Sequence, residues 1–273
     1  MSALPEKYQH LLEIIRKPGG AAVAFSGGVD SSFLCAAAFE ALGKQAVAIT
    51  IVSPMLPRSE IECAREVARL IGIEHITVEE HDIDDEVAAN PKDRCYHCKK
   101  IEFSNILRAA RERGITAVLD GSNTDDMGDY RPGLAALEEL SIVSPLREAG
   151  MNKQDIRELS RRKGLPTWNK PAFACLASRI PYGETIDREK LRRIENAEEA
   201  LRRAGFLQFR VRSHGDIARI EVAPEERCRF FDEKTLDGIS AEIKAAGFLY
   251  AAFELEGYKM GSLNRVIGTG SRI

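Results

Sequence analysis

Little in the chain commits it to a membrane, to nucleic acid or to an oxidised framework. No apolar run approaches the roughly 20 residues that a bilayer-spanning helix needs, and Met1 to His10 does not read as a secretory leader. A cytoplasmic protein is expected. Neither sign of charge is in excess: 39 Lys and Arg against 42 Asp and Glu leave a formal net charge of −3. That gives no global pull toward nucleic acid or an anionic surface, so any basic site must be local. Six cysteines in a cytosolic chain of 273 residues argue against a disulfide framework and toward metal or catalytic roles for some of them. Cys95-x-x-Cys98 has no second Cys-x-x-Cys and no His-x3-His to complete a zinc site. The glycine turn at Ser26–Ser32 lacks the Gly-Lys-Ser/Thr ending of a Walker loop, so no lysine is placed there for a γ-phosphate. Internal repeats and low-complexity tracts are absent.

What remains is an alternation of strand and helix patterns. Ala21 to Ala24 is a short apolar run that breaks at Ser26-Gly-Gly-Val-Asp30-Ser-Ser32 and resumes as a helical pattern to about Leu42. Strand, glycine turn and helix start are how a chain builds a phosphate cradle, because glycines let successive N–H groups point into one concavity. A tight turn with Asp30 or Ser31 capping a helix is the alternative. Ala46 to Val52 is a second apolar run, suited to a strand buried on both faces, and Thr50 at its end is a candidate for the adenine pocket. A helix over Ser59–Ile71, a strand over Glu74–Val78, a helix over about Lys99–Arg113, and strands at Ala117–Asp120 and Ser141–Ser144 complete a doubly wound α/β domain over 1–165. A Pro-rich active-site linker follows over 166–186, then a smaller α+β domain over 187–273. The last residues, from about Gly261, read as a polar tail.

Within the second domain, Leu207 to Arg212 and Ile217 to Val222 alternate apolar and polar residues around Ser213-His-Gly-Asp216. With His214-Gly215 as the loop, Phe209 pairs with Ile220 and Arg210 with Arg219. Arg210 and Arg212 on one face form either a phosphate fork or a solvated outer surface, and Glu221 shares that face. Cys95-x-x-Cys98 reads as a redox pair, half of a zinc site or two ligands of an iron–sulfur cluster. Cys175, at the junction of the two domains, is the informative third thiol. Cys35, Cys63 and Cys228 read as packed residues. Asn123 and Asp126, past the end of a parallel strand, either touch a nucleotide or cap a turn.

The pattern Ser26-Gly-Gly-Val-Asp30-Ser-Ser32 resembles the PP-loop of ATP pyrophosphatases. Together with Arg94-Cys-Tyr-His-Cys-Lys99, Gly121-Ser-Asn-Thr-Asp-Asp126, Tyr130-Arg-Pro-Gly133 and Cys175-Leu-Ala-Ser-Arg-Ile-Pro-Tyr-Gly183, it resembles the LarE family from about Val23 to Glu221. These are ATP-dependent sulfur transferases that help build the nickel-pincer nucleotide of lactate racemase. The resemblance implies adenylation of a carboxylate on a pyridinium biscarboxylate mononucleotide and its conversion to a thiocarboxylate. ATP would be held by Ser26, Gly27, Gly28, Asp30, Ser31 and Ser32, with Thr50, Gly121, Asn123, Asp126 and Arg131 nearby. Mg²⁺ would sit on Asp30. Cys95, Cys98 and Cys175 match the branch that holds a [4Fe-4S] cluster, against a branch that sacrifices the sulfur of its single cysteine. Arg179, Arg210, Arg212 and Glu221 are expected at the substrate, Glu221 also as a base. Sulfide or a donor system would supply sulfur to a homo-oligomer. A tRNA thiolase, a ligase of the NAD or GMP synthetase type and an ATP-sensing module are the competing readings.

Overall fold

The computed structural model describes residues 3–128, 132–171 and 174–259. In chain order these form α1 (Leu4–Arg16), β1 (Ala21–Ala24), α2 (Val29–Leu42), β2 (Ala46–Val52), α3 (Arg58–Ile71) and β3 (Glu74–Glu79). Next come α4 (Asp85–Ala88), α5 (Arg94–Arg111), β4 (Ala117–Leu119), α6 (Gly133–Glu139), α7 (Pro145–Glu148) and α8 (Lys153–Arg162). The remainder forms α9 (Arg188–Arg203), β5 (Phe209–His214), β6 (Ile217–Val222), α10 (Glu233–Ala245) and β7 (Tyr250–Phe253). Internal contacts divide the chain into two compact units, Met1–Asp82 with Asp93–Phe173, and Ile83–Lys92 with Ala174–Ile273. The expected linker is thus divided between them at Phe173, and the second unit borrows a segment from between β3 and α5.

The first unit is a parallel sheet in the order β3-β2-β1-β4. Alternate residues of its central strands feed two cores. Ala21, Val23, Ala46 and Ala48 pack with side chains of α1, α2, α3 and α8. Ala22, Val47, Ile49 and Ile51 pack with Phe103 and Ile106 of α5 and Leu137 of α6. Helices cover both faces, which is why β1 and β2 read as unbroken apolar runs. Each fully buried Ile or Phe here contributes about 2 kcal/mol of transfer free energy.

Two local expectations are corrected. Ser141–Ser144 is not a strand: Leu119 and Val143 form one isolated parallel bridge, because Ser141 adopts φ 55° and Pro145 opens α7. The helix expected from Lys99 starts at Arg94 after Asp93, with the Tyr96 N–H bonded to the Asp93 carbonyl. Cys95 and Cys98 therefore stand on its opening turns rather than in a loop.

The second unit carries the sheet β5-β6-β7. Its hairpin pairs Phe209 with Val222, Arg210 with Glu221 and Arg212 with Arg219, not Phe209 with Ile220. The loop is Gly215-Asp216, with Gly215 at φ 60°, so the register moves by two and keeps every side chain on its expected face. Asn90, fully buried at φ 54°, extends its amide to the carbonyls of Pro181 at 2.7 Å and Glu184 at 3.1 Å. Its own carbonyl accepts the Gly183 N–H. That residue is how the borrowed segment is integrated. The expected C-terminal tail lies outside the described residues.

Candidate active site

In the first unit β1 lies between β2 and β4. Consecutive connections leave its two sides in opposite directions, which opens a crevice at the strands' C-terminal ends where open α/β sheets bind ligands. The Ser26–Ser32 loop fills one side of that crevice and Gly121 the other. A Cβ on Gly121 would stand 3.2 Å from the Ser31 nitrogen and 3.3 Å from the Asp30 Cβ, so this turn must be glycine to lie against the loop.

The loop is built to leave its donors for something else. Gly27 has φ 70°, and a Cβ there would meet Ala64 N and Glu60 O at 3.1 Å, so the loop rests directly on the backbone of α3. Gly28 is the N-cap of α2 and offers no side chain to its first-turn N–H groups. The Ser26 and Ser31 hydroxyls bond one another at 3.1 Å, and Ser31 Oγ also takes the Ser26 N–H. The Ser32 hydroxyl and Asp30 Oδ1 are buried with no hydrogen-bond partner. Buried polar atoms are ordinarily satisfied, and two such oxygens on the glycine loop and the first turn of α2 are the donor type that a phosphate-bound cation takes. Asp30 Oδ1 is a hard oxygen suited to Mg²⁺. The other oxygen, Oδ2, is engaged by Lys153 of α8. Burial drives the Asp30 carboxyl above its ordinary range, and Lys153 only partly opposes this.

Other expected nucleotide residues have mixed placements. The Thr50 hydroxyl donates to the Phe25 carbonyl at 2.6 Å and lies 2.8 Å from His75 Nε2. It ties β1, β2 and β3 together at the crevice edge, and at 1% exposure is engaged within the sheet. Burial and nearby Arg65 hold the His75 ring below its ordinary pKa. Asn123 caps its own turn, with Oδ1 accepting the Asp125 N–H and its N–H donating to Asp126 Oδ2. Arg131 lies outside the described residues. Sequence reasoning passed over Lys153, Lys170 and Asp120, whose carboxylate is held by Ser122 and Ser144. None belongs to a run of characteristic spacing.

Among the thiols, Cys95 is exposed, while Cys98 and Cys175 are partly buried. Cys95 and Cys98, three apart at the start of α5, occupy neighbouring positions on one helical face. Both belong to the first unit and Cys175 to the second. Three thiols are the donor type that iron–sulfur clusters take; among the described residues, however, no group of three or more His, Cys, Asp or Glu is gathered to hold a metal. Cys35 is buried, but Cys228 is exposed rather than packed, because it falls on the 3-10 turn Pro224–Phe231.

The second unit concentrates buried charge. Arg179, with no exposure, pairs bidentately with Glu198 at 2.8 and 2.9 Å. Its remaining nitrogen reaches the carbonyls of Ala174 at 2.6 Å and Cys175 at 2.9 Å. Its guanidinium therefore fixes the backbone that presents Cys175. Arg210 and Arg212 are 2% and 5% exposed, which excludes the solvated outer face. Arg212 pairs with Glu221 at 2.9 Å and donates to the Ser178 carbonyl at 2.7 Å. Arg219 approaches Glu221 from the other side at 3.1 Å. Arg210 stacks 5.0 Å over the Tyr258 ring, and burial together with neighbouring Arg179 depresses its pKa. An excess of confined positive charge is what an anion would relieve.

Comparison with known proteins agrees with this arrangement. Residues 19–209 match the asparagine synthase family. An uncharacterized protein of Synechocystis sp. is 43% identical over 97% of this chain and 99% of its own. The pyridinium-3,5-bisthiocarboxylic acid mononucleotide synthase of Lactiplantibacillus plantarum is 36% identical over 97% of this chain and 96% of its own. A GMP synthase of Aeropyrum pernix is 27% identical over 70% of this chain and 41% of its own. No described helix is long and apolar enough to cross a membrane. With a glycine cradle on a parallel sheet, and with the match to the synthase running over 97% of its length, the chain belongs to the LarE family of PP-loop, ATP-dependent sulfur transferases.

Proposed function

We propose that the protein adenylates a carboxylate of pyridinium-3,5-biscarboxylic acid mononucleotide and converts it to a thiocarboxylate, a step of nickel-pincer nucleotide synthesis. The observation that carries this is the end-to-end similarity to a synthase named for the bisthiocarboxylate product. A carboxylate is a poor electrophile. Its oxygen attacks the α-phosphorus of ATP, the bond to the bridging oxygen breaks, and pyrophosphate departs into the Ser26–Ser32 loop. The loop supplies N–H groups and hydroxyls to the departing charge, while Asp30 Oδ1 and Ser32 Oγ would hold Mg²⁺, which neutralises it. A sulfur nucleophile then attacks the acyl carbon and expels AMP. Arg210 and Arg212 receive the substrate's phosphate, and Glu221, bonded to Arg212 Nε and Nη2, keeps that guanidinium in place. Asn123 and Asp126 shape the turn beside the nucleotide, Gly121 lets that turn approach, and Arg179 keeps Cys175 oriented.

Cys95, Cys98 and Cys175 would be the protein ligands of a [4Fe-4S] cluster, which would supply the sulfur nucleophile when bound. The sulfur enters as sulfide or from a donor system, and the enzyme works as a cytoplasmic homo-oligomer. Anaerobic preparation with cluster-assembly machinery present should give brown protein containing iron and sulfide, with the colour lost in Cys95→Ala. Colourless, iron-free wild type whose Cys175 loses the mass of H₂S on turnover would replace the cluster with sacrifice of that thiol. Release of AMP and pyrophosphate that does not depend on the mononucleotide would sink the substrate assignment.

A further inference from the structure

Lys170 stands five positions before Cys175 in a segment that no nucleotide motif covers. Its backbone is anchored: its N–H bonds the Thr167 carbonyl at 3.0 Å, and its own carbonyl accepts Arg157 Nη2 of α8 at 3.0 Å. From that fixed base the ammonium reaches three acceptors. These are Glu60 Oε2 at 2.8 Å, the Gly27 carbonyl at 3.1 Å and Cys63 Sγ at 3.2 Å. Glu60 and Cys63 are both on α3, three apart and on one face. The Lys170 and Glu60 side chains are 17% and 10% exposed, so the pair is far better shielded than a surface ion pair.

The Gly27 carbonyl is the informative contact. In a planar trans peptide the C=O and the following N–H point in opposite directions. Holding the Gly27 oxygen toward Lys170 therefore turns the Gly28 N–H the other way, away from Lys170. The Cys63 thiol also donates to this carbonyl, at 3.8 Å, and Gly27 lies against the α3 backbone, so the peptide is held by groups outside the loop. Among these groups Lys170 brings a full positive charge to the carbonyl of the peptide that phosphate binding requires to be set. We infer that Lys170, seated by Glu60 and Cys63, is a positioning residue that orients the Gly27–Gly28 peptide of the ATP loop for the departing pyrophosphate. The inference rests on the reading of that loop as the ATP site.

Calorimetric titration of Mg-ATP and of AMP into the full chain, with thermal denaturation of each variant, tests it. On the proposed reading the loop holds the pyrophosphate part of ATP, which AMP lacks. Lys170→Met should weaken Mg-ATP at least tenfold and leave AMP within about twofold, while Lys170→Arg, which keeps the charge, should recover part of the loss. Glu60→Gln should weaken Mg-ATP in the same selective way, and combining it with Lys170→Met should add little, since Glu60 acts through Lys170. Selective loss for Mg-ATP supports the role. Equal loss for both ligands, or a lowered melting temperature with Mg-ATP affinity unchanged, would make Lys170 a structural brace only. Should Lys170→Met fail to fold, Glu60→Gln decides, and unchanged Mg-ATP affinity there overturns the inference. Wild-type protein that binds no Mg-ATP would sink the reading of the loop itself.

Discussion

Asp30 illustrates how a single residue can be wrong for stability and right for chemistry. Burial holds its carboxyl above the ordinary carboxylate range despite Lys153. The folded, ligand-free chain thus binds this proton more tightly than the unfolded chain. Folding gains from that below the ordinary range, and the gain is lost as pH rises through the shifted value. Asparagine has no charge to bury, and Lys153, partly exposed, can be solvated without its partner. Asp30→Asn should accordingly be more stable than wild type near neutrality, with the advantage shrinking on acidification toward about pH 4. Urea denaturation across that range measures it; a difference independent of pH would contradict the assignment. Pyrophosphate release should fall about 100-fold, the scale of losing a preorganised electrostatic contact. Asp30 and its glycines were legible in the sequence because their order is the motif. Lys170 was not, since its partners Gly27, Glu60 and Cys63 are brought to it only by folding.

At the scale of elements, the C-terminal edge of the sheet is latched by the Phe25–Thr50–His75 chain across β1, β2 and β3. Thr50→Val preserves shape and removes the hydroxyl, stranding a buried carbonyl and an imidazole nitrogen. The loss should be about 2 kcal/mol, the cost of a buried group left without its partner, read from the urea midpoint; a change under about 0.5 kcal/mol would mean that water replaces the latch. Strand alternation and apolar runs gave away β1 to β4 and the longer helices between them, because burial on one or two faces writes itself into period and composition, whereas the short α4, α6 and α7 left no period to read. The hairpin register escaped for the same reason. Pairing Arg210 with Glu221 or with Arg219 puts identical faces inward, so hydrophobic pattern cannot choose between them, and the choice falls to Gly215 at positive φ. The early start of α5 was equally hidden, since the apolar period that marks its buried face begins only beyond the cysteines at its opening.

For the molecule as a whole, Ile83–Lys92 is the least predictable stretch and the most consequential. It lies between β3 and α5 in sequence yet belongs with Ala174–Ile273, tied there by Asn90 and by the Ile186 N–H to the Ala88 carbonyl at 2.8 Å. No periodicity announces a segment whose hydrogen bonds are made about ninety residues away. A fragment from Ala174 onward, lacking Asn90 and buried Val87, should show no cooperative urea transition, and the same fragment fused to residues 83–92 should regain one. Cooperative folding of the bare fragment would show the borrowed segment to be dispensable. The arrangement also imposes an order on synthesis. A ribosome that has released Phe173 has supplied all of the ATP-binding unit, whereas Val87 and Asn90 still await partners not yet translated. The nascent chain can therefore close its nucleotide loop before the segment that presents Cys175 exists, with Asn90 in the interval still lacking the Pro181 and Glu184 carbonyls that it will bond.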